Sequence, residues 1–163
     1  MAEHKGYFLL EAAIKKLQPK NIEMLIVDHA KPEGHRLHTN WGNVPVTFVG
    51  PFKQKDIVAL YSKIDVLCAP SKWPESYGLV TREASACGCW VIASNKGGIG
   101  EDIIDGVSGF VIEPDNASLE NCLALIDASP SRFKASAKAN PPRLASLQVN
   151  ELAKIYASIG RFK

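Results

Sequence analysis

Apolar runs of strand length alternate with stretches of helical period along the chain. Residues 6–17 place Phe8, Leu9, Leu10, Ala13, Ile14 and Leu17 on one helical stripe, which Pro19 stops. Residues 22–27 read as a buried strand. Residues 29–43 are polar and without period, and predict a long loop. A strand is expected at 46–50, then a helix at 55–63 with Ile57, Val58, Leu60 and Tyr61 on its inner side, then a strand at 65–69. Residues 78–87 predict a helix ended near Gly88, and residues 90–93 a strand. A glycine turn at 97–101 leads into a short helix through residue 104. A strand at 109–112 and a helix at 119–126 follow. Residues 129–143 are polar and interrupted by Pro130, Pro141 and Pro142, and an amphipathic helix at 147–160 closes the chain.

Strands that alternate with helices imply a mostly parallel sheet covered on both faces. The expected fold is therefore α/β, a Rossmann-like three-layer arrangement. Residues 1–163 form one domain, with 147–160 as its C-terminal helix. Such folds open on a strand, whereas this pattern opens almost directly on a helix at Gly6. The expectation is that the first strand lies ahead of residue 1, with Met1-Ala2 left over from expression.

Composition narrows the function classes. With 163 residues there is enough chain for one proper core. The formal net charge is +2, and no basic run interleaved with aromatics points to nucleic acid. No apolar run reaches the ~18 residues that a bilayer crossing needs, and no signal peptide is visible, so a soluble chain is expected. Cys68 falls in an apolar strand and Cys122 on an apolar helix face, which predicts buried free thiols. Cys87-Gly88-Cys89 is too tight for an easy disulfide, and no second Cys/His pair stands at zinc spacing, so no metal site is expected. A reducing, cytoplasmic compartment fits this usage.

The candidate chemistry centres on Glu75 and Glu83, eight positions apart. On one helix they would lie roughly 12 Å apart along the axis. Pro74 disfavours helix just before Glu75, and Gly78 stands between the two. Glu75 is therefore placed in a strand-to-helix loop and Glu83 inside the helix, at the carboxyl end of a strand, where α/β sheets place ligands. Helices are expected to start at Gly6, Gly78 and the Gly97-Gly98 pair, with Lys5 beside the first. Helix N-termini lined up on one sheet edge suit a diphosphate. For each glycine alone the plain alternative is a turn. Glu83, flanked by Leu79, Val80, Ala84 and Ala86, suits the vicinal hydroxyls of a ribose; the alternative is a solvated carboxylate. Trp73 and Tyr77 either wall a sugar site or pack the loop. Arg82 is a surface residue, a partner of Glu101 or Asp102, or a ligand contact. His29, His35 and His38 are expected as exposed loop residues, and Ser71 and Ser76 have no histidine placed for a triad.

At these residues the sequence resembles the C-terminal half of retaining glycosyltransferases of the GT4 family, which have the GT-B fold. The resemblance runs through Val46-Thr47-Phe48-Val49-Gly50, Leu60-Tyr61-Ser62-Lys63-Ile64-Asp65-Val66 and Pro70-Ser71. It continues through Glu75-Ser76-Tyr77-Gly78-Leu79 to Glu83-Ala84, the family's E-x7-E signature. Ala86-Cys87-Gly88, Val91-Ile92-Ala93-Ser94, Gly97-Gly98-Ile99-Gly100-Glu101 and Asp105-Gly106-Val107-Ser108-Gly109-Phe110 follow in order. Lys5-Gly6 resembles the Lys-Gly that opens the first helix of this half.

The resemblance implies a nucleoside-diphosphate-sugar donor, a UDP-, GDP- or ADP-sugar, bound without a required cofactor or metal. By position, Glu83 looks like the ribose ligand and Glu75 like the catalytic-site carboxylate at the donor sugar. Ser76, Tyr77, Gly78, Leu79 and Val80 look like the backbone lining sugar and phosphates. Lys5 looks like the diphosphate lysine, Gly50 and Pro51 resemble the loop near the base, and Gly97 and Gly98 resemble the family's glycine pair. The acceptor, a sugar, glycan or lipid-linked molecule of polysaccharide or glycolipid assembly, would bind an N-terminal half outside this chain. The isolated chain is then expected to bind donor without turnover, and the full protein to reach a membrane surface peripherally in some such pathways. Three departures stand out. The family's Arg five residues before the Lys falls ahead of Met1. Trp90 stands where proline is common, which predicts a packing change. Val27-Asp28-His29-Ala30 replaces a glycine-containing turn. The competing readings are a non-catalytic GT-B-like module that binds a nucleotide sugar or a protein, and an epimerase or phosphorylase of related fold.

Overall fold

The structure is a computed structural model, and it describes residues 3–138 and 145–159. A 3₁₀ turn at Glu3–Lys5 leads through Gly6, at φ 78°, into α1 (Tyr7–Leu17). Gln18 ends that helix in the left-handed region, at φ 47°. Its side-chain amide donates to the carbonyls of Lys15 and Trp41 and accepts from Asn43 N, and so ties the helix end to a hairpin turn. Then follow β1 (Met24–Val27), β2 (Arg36–Trp41), β3 (Val44–Val49) and α2 (Ile57–Tyr61). The second part runs β4 (Val66–Ala69), α3 (Leu79–Ala86), β5 (Trp90–Ser94), β6 (Gly109–Ile112), α4 (Asn116–Ala128), α5 (Pro130–Lys134) and α6 (Ala145–Ile159).

Among the described residues the strands form two three-stranded sheets, ordered β1-β3-β2 and β4-β5-β6. All pairings are parallel except β2 with β3. The alternation along β5 shows why the layers form. Successive side chains point to opposite faces of a strand. Trp90 and Ile92 join a core with Leu10, Ile14, Val46, Leu119 and Leu123, drawn from α1, α4 and β3, so both sheets share it. Val91 and Ala93 face the other way, onto Tyr61, Ala84 and Ile99. β5 is buried on both faces, as a three-layer parallel arrangement requires. β1 and β4 are apolar throughout but only half-buried, and each is paired along one edge among the described residues.

The α/β fold expected from the sequence is the one observed, and four of the expected elements need correction. The helix expected at 55–63 is α-helical only over Ile57–Tyr61 after a 3₁₀ turn, and Val58, expected on its inner side, is exposed. Residues 29–43 are not all loop: Arg36–Trp41 is a strand antiparallel to β3, with Trp41 opposite Val44. It is polar because it is an edge strand whose backbone is paired and whose side chains are mostly exposed. The helix expected through residue 104 is only a 3₁₀ turn, Gly98–Gly100. The polar stretch after 129 holds α5, which starts on Pro130, a residue suited to a helix first turn. Trp90, where a packing change is expected, is buried among aromatic rings. Its ring lies 5.0 Å from Phe133 and 6.3 Å from Phe110, and its Nε1 donates to Ala135 O at 2.9 Å. No helix among the described residues is long and apolar enough to cross a membrane. Met1, Ala2, Pro141, Pro142 and Gly160 lie outside the described residues.

Candidate functional site

The site is built at the carboxyl ends of β4 and β5. Beyond β4, Lys72 N and Ser71 Oγ both donate to His4 O, at 2.8 and 3.2 Å, and lay residues 4–6 across the strand end. Gly6 passes so close to Pro70 that a side chain there would strike the Pro70 carbonyl. Lys5 is thereby brought to Glu75, with Nζ 2.9 Å from Oε1. The Glu75 side chain is only 20% exposed, and that of Lys5 is half exposed.

Residues 75–78 are zipped to the glycine loop by their backbone. Glu75 N donates to Lys96 O at 3.2 Å, and Gly98 N to Glu75 O at 2.7 Å. Gly97, at φ 69°, has no room for a Cβ against Glu75, and a Cβ on Gly98 would stand 2.6 Å from Ser76 O. Gly78, also at φ 69°, caps α3 and packs against Ile99. Buried Thr81 reinforces this joint, since its Oγ1 lies 2.8 Å from Gly78 O and 3.0 Å from Ile99 O. No side chain caps the first turn of α3, where Leu79 and Val80 are exposed, so its N-terminal partial charge faces outward.

Glu83 rides α3, as its spacing from Gly78 predicts, and Glu75 lies in the loop before it. The half-buried Glu83 accepts a 3.1 Å hydrogen bond on Oε2 from the hydroxyl of Tyr61, a buried residue of α2. Burial pushes the Tyr61 hydroxyl pKa up, and the Glu83 charge and hydrogen bond raise it further, so it stays a neutral donor. Sequence reasoning assigned Tyr61 only to the inner side of a helix. Its polar tip was the available signal, because a buried tyrosine hydroxyl usually finds a partner.

Other expected residues fall elsewhere. Gly50 and Pro51 sit at the end of β3 and line a cleft of ≈ 230 Å³ with His35, Arg36, Phe52 and Asp56. Lys5, Glu75 and Glu83 do not line that cleft. Arg82 is a partner of both acids weighed for it: Nε lies 2.6 Å from Asp102 Oδ2 and an Nη 3.4 Å from Glu101 Oε2. His38 is in β2, with Nδ1 3.0 Å from Thr47 Oγ1. All four cysteines are free thiols. Among the described residues no group of three or more His, Cys, Asp or Glu side chains is placed to hold a metal ion.

The arrangement is that of a mostly parallel α/β domain, with Lys5, Glu75 and the glycine-capped start of α3 beyond the carboxyl ends of β4 and β5, where such folds set ligands. The chain belongs to the glycosyl transferases group 1 family, whose model matches residues 1–137. It is 35% identical over 111 residues to a D-inositol 3-phosphate glycosyltransferase from Kribbella flavida, covering 66% of this chain and 26% of that protein. A protein of the same name from Mycolicibacterium vanbaalenii is 43% identical over 68 residues, or 42% of this chain and 15% of its own length. Among solved structures, sucrose-phosphate synthase from Thermosynechococcus elongatus is similar at TM-score 0.73 and 26% identity, over 96% of this chain and 44% of that one. Anabaena HepE in complex with UDP and glucose is similar at TM-score 0.71 and 25% identity, over 97% of this chain and 46% of that one. The chain thus spans less than half the length of these relatives and neighbours.

Proposed function

We propose that this chain is the donor-binding half of a retaining glycosyltransferase, which transfers a hexose from a nucleoside-diphosphate sugar to a glycan or lipid-linked acceptor. The observation that carries the proposal is the Lys5–Glu75 pair, 2.9 Å apart, set against the zipped 75–78 and 97–100 segments at one sheet edge. Family membership and neighbours solved with UDP and glucose support a nucleotide-sugar donor.

The chemistry follows from where charge develops. As the glycosidic bond breaks, negative charge gathers on the leaving diphosphate and positive charge on the sugar carbon. Lys5 and the open first turns of α1 and α3 are placed to offset the diphosphate charge. Glu75 is placed to orient the donor sugar and face its positive carbon. Glu83, with Oε2 held by Tyr61, offers its other oxygen to the ribose hydroxyls. Gly50 and Pro51 would meet the base from the far end of the β3 edge. No metal is needed for these roles. The acceptor is supplied by a second half, and the reaction takes place in the cytoplasm, at the membrane face for a lipid-linked acceptor.

The test is nucleoside diphosphate release, measured with UDP-, GDP- and ADP-glucose in the presence of candidate sugar acceptors. The isolated chain should give no turnover, and a longer protein that adds an N-terminal acceptor half should release one nucleotide. Appreciable transfer by the isolated chain would refute the assignment as a half.

A further inference from the structure

Arg82 reaches further than an ion-paired surface residue needs to. Its side chain is only 15% exposed, although it sits on the outer start of α3. Nε is paired with Asp102 at 2.6 Å, and an Nη lies 3.4 Å from Glu101. Another Nη donates to the Gly98 carbonyl at 3.2 Å. The guanidinium carbon lies over the Tyr77 ring, 3.8 Å from its centre. One planar group therefore holds four others. Two of them, Tyr77 and Gly98, belong to the two backbone segments that are zipped together beside Glu75. None of the four is Lys5, Tyr61 or Glu83.

We propose that Arg82 is a positioning residue for the sugar end of the donor site. It fixes the Tyr77–Gly78 turn against Gly98 and so sets the backbone N–H groups that the donor sugar meets. This rests on the donor-half reading. The two acids behind it neutralise the guanidinium and keep it from the diphosphate, so its work is geometric. Lysine cannot replace it. A lysine can keep one ion pair with Asp102, but it has no planar fork to hold a carbonyl and an aromatic face together. The nucleotide end, where Tyr61 holds Glu83, shares no side-chain partner with these contacts. Arg82 thus separates two properties of one site: affinity for the nucleoside diphosphate, and the added affinity or discrimination that the sugar brings.

The test is isothermal titration of the 163-residue chain and its Arg82→Gln and Arg82→Lys variants. The ligands are UDP, GDP and ADP, each with its glucosyl ester. For the nucleotide that the unaltered chain binds, both variants should hold the diphosphate within about twofold and lose the glucosyl ester about tenfold. Arg82→Lys keeps an ion pair to Asp102, so it carries the comparison even where Arg82→Gln fails to fold. Equal weakening of diphosphate and ester, or no change in either, would overturn the inference and leave Arg82 a staple between α3 and residues 101–102. An unaltered chain that is folded and binds none of the six ligands would overturn the donor-half reading, and this inference with it.

Discussion

Tyr61→Phe removes a single oxygen from a residue that is 5% exposed, and leaves its ring packed against Ala84, Cys89 and Val91. What is lost is the 3.1 Å hydrogen bond to Glu83 Oε2 and a long 3.4 Å contact to Val80 O. Glu83 is half-buried, so water can replace part of the bond, and the stability cost should be about 1 kcal/mol. For a domain of this size that lowers the unfolding midpoint by about 2–4 °C. The effect on ligand binding has a different origin. A carboxylate already held by Tyr61 need not be ordered when it meets a ribose, whereas a freed one must be. Immobilising such a side chain costs about 0.5–1.5 kcal/mol, or about a two- to tenfold loss of affinity. Titration of UDP, GDP and ADP into the chain reads this directly. A double-mutant cycle with Glu83→Ala then isolates the coupling, because Tyr61→Phe should have no further effect once Glu83 is gone. Unchanged nucleotide affinity in Tyr61→Phe, alongside its loss in Glu83→Ala, would refute the idea that Tyr61 presets the carboxylate.

Lys5→Met should leave the midpoint within about 4 °C, since a half-exposed ion pair contributes about 0–1 kcal/mol, yet weaken diphosphate binding about tenfold. Equal affinity by titration would remove Lys5 from the site. Gly97→Ala should cost about 3 kcal/mol in urea unfolding, because its φ of 69° and its contact with Glu75 both exclude a Cβ. Gly106→Ala, at φ 70° with open space around it, should cost about 1 kcal/mol. Burial pushes the Cys122 thiol up to about 12 from 9.0, so the fold favours its neutral form. The stabilisation is complete below pH 9 and is lost as pH rises towards 12. Urea titrations at pH 8 and 10 should therefore show the unaltered chain losing about 1 kcal/mol more than Cys122→Ala.

The alternation of strand and helix was readable because apolar runs such as Trp90–Ser94 are buried on both faces, and their pattern carries that burial directly. The placement of Glu75 in a loop and Glu83 in a helix was readable for a local reason: Pro74 and Gly78 restrict the backbone between them. β2 was hidden because its side chains before Trp41 face solvent and carry no apolar period. The Gly42-Asn43 pair between Trp41 and Val44 was its real signal, a two-residue hairpin turn with Gly42 at φ 65°. α5 was hidden behind its own proline, which begins the helix. The contacts that shape the candidate site were the least legible. Tyr61 on Glu83, Thr81 on Ile99 and Arg82 across Tyr77 and Gly98 join residues from separate elements, and no spacing rule reveals which side chains meet.

The most direct measurement is thermal unfolding of the chain against UDP-, GDP-, ADP- and dTDP-sugars, with Glu83→Ala beside it. A ligand at 100 times its dissociation constant stabilises a fold by about 2.7 kcal/mol. That amounts to a rise of about 5–10 °C here. The expected result is such a rise with the sugars of one nucleotide, sharply reduced in Glu83→Ala. A folded chain whose midpoint stays fixed with all four at millimolar concentration would contradict the donor site.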